Sequence, residues 1–160
     1  MTAKAKMRPS APPEEIVEYD VDIIDWHWVY SLSLISWNHG DDDPYREGRH
    51  LKIIGKLLRP AGLGTEVVHI TLLPSSGMSE ERRKDSNPNA LGVLELYPNV
   101  IRCSVGIPAD VLSPILQMLI AKKLSVVQLK GSKFHKRSAR LIGLRLKMRF
   151  SDTTPMDIVL

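Results

Sequence analysis

Cysteine is nearly missing from this chain. Cys103 is the single thiol in 160 residues, which excludes an intrachain disulfide framework. It alternates with Ile101, Val105 and Ile107, the pattern of a buried strand residue rather than a reactive nucleophile. A lone thiol also fits a reducing compartment. Aromatic rings are scarce at 6% of residues, so a surface that stacks nucleic-acid bases would have little to build from. No apolar run reaches the length of a membrane-crossing helix; the longest, around Ile115 to Ala121, stops at Lys122 and Lys123. The opening stretch MTAKAKMRPSAPPEE lacks the apolar segment of a secretory leader. These absences predict a cytoplasmic chain with no membrane partner.

Charge of one sign is missing from two long stretches. Between Ser10 and Arg46 lie Glu14, Glu15, Glu18, Asp20, Asp22, Asp25, Asp41, Asp42 and Asp43, with Arg46 as the one basic residue. Between Ala121 and Phe150 the order reverses: Lys122, Lys123, Lys130, Lys133, Lys136, Arg137, Arg140, Arg145, Lys147 and Arg149 occur without an acid. The net charge is a mild +4, so the sorting matters more than the total. Such asymmetry attracts an anionic partner, or lets one part of the fold, or one copy, hold another.

What the chain does have is period two. Trp26, Trp28, Tyr30, Leu32 and Leu34 alternate with His27, Val29, Ser31, Ser33 and Ile35, the signature of a long half-buried strand. Order is expected from Ile16, and Asn38 to Pro44 ends the run in a loop. Further strands are predicted over 51–58, 66–73, 91–97, 100–107, 124–129 and 139–150, with Pro98-Asn99 closing a hairpin and a turn at 130–133. In the last strand Ile142, Leu144, Leu146, Met148 and Phe150 form the core face. Ser113 as N-cap and Pro114 at the first helical position predict a short helix, prefixed by a turn at 110–112. The fold expected is all-β: a sandwich or partly closed barrel of about seven mainly antiparallel strands with one short helix. Residues 1–15 read as a basic, proline-containing tail, 16–150 as a single β-rich domain with a loop at 74–89, and 151–160 as a C-terminal extension.

The candidate sites follow from charge and aromaticity. Lys133, His135, Lys136, Arg137 and Arg140 crowd a hairpin-like approach, and Arg145, Lys147 and Arg149 project from successive outward positions of one strand, roughly 6.8 Å apart. Phosphates of a single strand can follow such a row, with Phe134 and His135 stacking on bases and Lys4, Lys6 and Arg8 adding a contact. Asp41, Asp42 and Asp43 are the acidic counterpart. Their neighbours His39 and His50 raise a metal reading, but the spacing matches no metal motif, and an acidic hairpin loop is the better account. Trp26, Trp28 and Tyr30 are expected in the core, leaving Trp37 as the exposed anchor.

No nucleophile elbow, phosphate loop or metal cluster occurs in the sequence. The expectation is therefore a non-enzymatic interaction or assembly module, without cofactor or metal, joined to a protein partner or a second copy through its segregated acidic and basic surfaces. Binding of DNA or RNA phosphates by the basic C-terminal strands is the alternative.

Overall fold

The computed structural model describes residues 13–34, 44–79, 84 and 88–148. Seven strands form one closed barrel: β1 (Ile16–Leu34), β2 (Tyr45–Arg59), β3 (Val67–Ser75), β4 (Gly92–Leu96), β5 (Ile101–Pro108), β6 (Val126–Ser132) and β7 (Ser138–Lys147). One helix, α1 (Leu112–Ile120), lies between β5 and β6. The order around the ring is β1-β2-β3-β5-β4-β7-β6, and β6 closes it on β1 over Ile16–Asp22. The all-β architecture with one short helix is thus the one its alternation predicts.

All pairings but one are antiparallel; β3 and β5 run parallel. The exception follows from the connection after β3, which carries the chain past one strand position. β4 then runs back down, and a tight turn, with Tyr97 N–H donating to the Val100 carbonyl at 2.9 Å, returns β5 into the gap. Gly92 is needed where β4 meets β5, because a Cβ there would overlap the Ser104 carbonyl oxygen.

Inward positions are apolar. Val21, Leu51, Ile53, Val68, Ile70, Leu72, Leu94, Val127 and Leu141 are fully buried, and Cys103 packs among them. Burial pushes the Cys103 thiol up to about 12. Lys52, Arg102, Glu95 and Lys130 occupy the alternate, outward positions. No helix among the described residues is long and apolar enough to cross a membrane.

Bulges reset the alternation in three places. Ile24 is skipped in the β1–β2 register, so the inward position shifts from the phase of Tyr19, Val21 and Ile23 to that of Trp26. Leu58 is skipped opposite the step from Asp20 to Val21. Ile142 is skipped opposite Lys130 and Gly131. The last bulge corrects the expected core face of β7: Ala139 and Leu141 are buried below it, Leu144 and Leu146 pack above it, and Ile142 and Met148 are exposed.

Two further expectations change locally. Helix α1 begins at Leu112 as a continuation of a 3-10 turn over Ala109–Val111, so its N-cap is Val111 and Ser113 lies within the first turn. β6 does not turn at 130–133 but runs through Ser132, and the reversal falls at His135–Ser138. There His135 and Ser138 exchange backbone hydrogen bonds of 2.8 and 3.0 Å. The two central residues, Lys136 and Arg137, have φ of 48° and 67°, the left-handed pair that a two-residue hairpin of matching twist demands. Lysine and arginine lack the Asn-Gly signature of such a turn, which is why the sequence did not announce it.

The registers assign the chain reversals to two ends of the barrel. Residues 97–100 and the 135–138 turn share one end. Helix α1 shares the other with the far half of the β1–β2 hairpin. Leu112 and Leu119 are buried there, with Ile115 and Leu116 packed on the core.

Candidate functional site

Closure of β6 on β1 brings the two charge-sorted stretches onto one wall. Glu18, Asp20 and Asp22 of β1 stand opposite Lys130, Gln128 and Val126 of β6, which in turn stand opposite Gly143, Arg145 and Lys147 of β7. Asp20 is the centre of this wall and is buried. It accepts hydrogen bonds from Arg59 Nε at 2.6 Å and Gln128 Nε2 at 2.9 Å, and Arg59 also pairs with it through its terminal nitrogen. Burial disfavours the carboxylate. The hydrogen bonds from Gln128 and Arg59, and the charges of Arg59 and Lys147, outweigh that and hold its pKa below the usual aspartate value.

The predicted basic residues are therefore divided. Lys133 Nζ lies 3.7 Å from Glu15, and Arg140 pairs with Glu14 while donating to the Asn89 carbonyl at 2.9 Å. His135, Lys136 and Arg137 form the end turn, where the Arg137 carbonyl accepts from Leu96 N–H at 2.8 Å. Arg145 and Lys147 stand on the side wall. Phe134 is not free to stack on bases: it packs on the core and meets the Tyr19 ring edge-on at 5.9 Å. Trp37, Asp41, Asp42, Asp43 and Arg149 lie outside the described residues, as do His39, Phe150, the tail through Pro12 and the C-terminal extension. A second group of basic side chains went unremarked in the sequence because it is spread over four strands. His27, Lys52, His69 and Arg102 share the opposite outer wall. Burial first, then the charges of Lys52, Arg102 and His27, lower the pKa of His69.

The larger surprise is apolar. β6 covers the edge of β1 only as far as Asp22, and β3 covers the edge of β2 from Leu51 to Lys56. Beyond those limits β1 and β2 continue as a two-stranded arm, in register to Leu34 opposite Tyr45. One face carries Trp28, Tyr30, Leu32 and Leu34, paired with Leu51, Arg49, Glu47 and Tyr45; the other carries His27, Val29, Ser31 and Ser33, paired with Lys52, His50, Gly48 and Arg46. The first face continues the inward face of the barrel, since Trp26 opposite Ile53 packs on the core. Exposure then climbs along it, from 39% at Trp28 through 54% at Tyr30 and 57% at Leu32 to 72% at Leu34. The expectation that Trp28 and Tyr30 fill the core is thus corrected. The barrel closes short of them, and only Trp26 reaches it.

An isolated two-stranded ribbon is marginal in water, and contiguous exposed apolar side chains mark contact surfaces. No family model, curated protein or solved structure matches this chain.

Proposed function

We propose that the chain is a non-enzymatic protein-interaction module that docks through the apolar face of the β1–β2 arm. The observation that carries this reading is the continuation of core-type alternation beyond the last covering strand, leaving Trp28, Tyr30, Leu32 and Leu34 progressively exposed. Large aromatic and aliphatic side chains on a regular sheet face supply the contact area that binding needs. The acid–base asymmetry has a secondary role. Its members face one another across β1, β6 and β7, and two of the cations nominated as phosphate contacts, Lys133 and Arg140, are engaged by Glu15 and Glu14. What remains for a partner is steering by Arg145, Lys147 and the 135–138 turn, a salt-sensitive effect on encounter.

The test is site-specific photo-crosslinking in the cells that make the protein. A probe at Leu32 should yield covalent adducts with polypeptide, and a probe at Arg145 should yield few. Adducts with nucleic acid from Arg145, and none from Leu32, would replace this reading with the nucleic-acid alternative.

A further inference from the structure

The arm's apolar face carries two charged residues, and their placement says what covers it. Arg49 stands opposite Tyr30 and Glu47 opposite Leu32, at adjacent levels of β2. Same-face neighbours along a strand are about 6.8 Å apart. Neither makes an ion pair among the described residues. Among the described residues no strand pairs with either outer edge of the arm beyond Asp22 and Leu51.

We infer that this surface is the arm of a second copy of this chain. The two arms stack face to face and antiparallel, about a two-fold axis that crosses the ribbon between the Tyr30–Arg49 and Leu32–Glu47 levels. The inference rests on the reading of the arm as a docking surface and adds its partner and register.

The face is self-complementary. A two-fold contact sets the same patch against itself, so that residue i meets j and j meets i. With the axis in the plane of the face and perpendicular to the strands, β2 overlies its symmetry mate with the levels reversed. Arg49 then meets Glu47 of the other copy, and Glu47 meets its Arg49. On the β1 side Tyr30 meets Leu32 and Trp28 meets Leu34. Stacked sheets sit about 10 Å apart, a gap that arginine and glutamate span together.

Turning the axis along the strands instead would set Arg49 on Tyr30 and Glu47 on Leu32, burying both charges without partners. That arrangement is strongly disfavoured. The electrostatics therefore select the direction in which the second copy docks. The face is about 20 Å long and two strands wide by strand geometry, so the contact is at the small, reversible end of specific interfaces.

Sedimentation velocity of the purified full chain over a wide concentration range tests this, with circular dichroism and thermal melting confirming that each variant folds. The wild-type chain should pass from monomer to dimer, and Leu32→Glu should remain monomeric. Glu47→Arg and Arg49→Glu should each weaken dimerisation by about tenfold, since each reversal creates two like-charge contacts across the axis. The double reversal, Glu47→Arg with Arg49→Glu, should restore wild-type association to within about threefold. A chain that stays monomeric throughout, or single reversals without effect, would overturn the second copy as occupant. If the monomeric chain still crosslinks another polypeptide from Leu32, the docking surface stands and this partner falls; if it crosslinks none, both fall.

Discussion

The two ends of the barrel each carry an antiparallel strand pair and meet water in opposite ways. At one end the Lys136–Arg137 turn is short, charged and tied by Leu96 N–H to the neighbouring strand. At the other the β1–β2 hairpin runs on past its neighbours with Tyr30, Leu32 and Leu34 exposed. A hairpin that only needs to reverse direction does so in two residues, as the first one does. The second keeps core-type alternation over residues that the barrel does not bury, and on the reading proposed above that surplus length serves an intermolecular contact.

The contrast is broken most severely by one substitution made at two places on one continuous face. Leu51 is fully buried where the arm meets the barrel, and Leu32 lies further out. Leu51→Ala should lower stability by about 2–5 kcal/mol through lost burial and a cavity. Leu32→Ala should change it by less than about 0.5 kcal/mol in dilute monomer. Urea unfolding measured at low protein concentration separates them; equal losses would mean that the arm is part of the folded core.

Next in size is the charged wall. Asp20→Asn should cost about 1–2 kcal/mol, since a carboxylate with two donors is replaced by an amide beside a largely exposed Arg59. The Asp20 pKa is depressed in the folded state, so its contribution is complete above the ordinary aspartate value of about 3.9. It is lost as pH falls through the lower folded value. Melting midpoints recorded on acidification should therefore fall more steeply for wild type than for Asp20→Asn, and parallel curves would remove Asp20 from the account.

A smaller and opposite effect belongs to the tight turn. Arg137 occupies φ 67°, where glycine has no steric penalty, so Arg137→Gly should raise stability by about 1 kcal/mol. A loss would mean that the arginine side chain holds the turn. Smallest of all, Lys133→Ala removes an exposed pair with Glu15 and should shift the unfolding midpoint by an amount equivalent to less than about 0.5 kcal/mol. A larger shift would give the basic end a structural importance that the arm-centred account denies it.

These differences also explain which features could be read from the chain. Alternation in 26–34 and 51–58 sufficed to place those parts of β1 and β2, because period two is a local property of the backbone. But β2 begins at Tyr45, and Tyr45 to His50 carry no apolar alternation to announce it. Whether a face is covered is not local. Trp28 and Tyr30 continue the pattern of Trp26 without a break, and only the registers of β6 and β3 reveal that the cover ends. The bulge at Ile142 was hidden for a related reason, since alternating residues on either side of a skipped position look like one uninterrupted strand. The charge asymmetry was plain in the sequence, but its meaning depended on β6 closing the ring on β1. That contact joins residues separated by more than a hundred positions. Of the nominated cations, the engagement of Lys133 and Arg140 by Glu15 and Glu14 depends on the same closure.

Thiol accessibility tests the central claim most directly. Cys103 is buried with its pKa pushed up to about 12, so it stays inert while Leu32→Cys and Arg145→Cys each introduce one reactive thiol. Alkylation rates would be compared in intact cells and in dilute purified protein, each corrected against a small-molecule thiol under the same conditions. The account predicts that Leu32→Cys is protected in cells by about tenfold or more while Arg145→Cys labels equally in both settings. Equal labelling of Leu32→Cys in both would show its apolar face standing open to water in the cell, and would contradict the assignment of the arm as the docking surface.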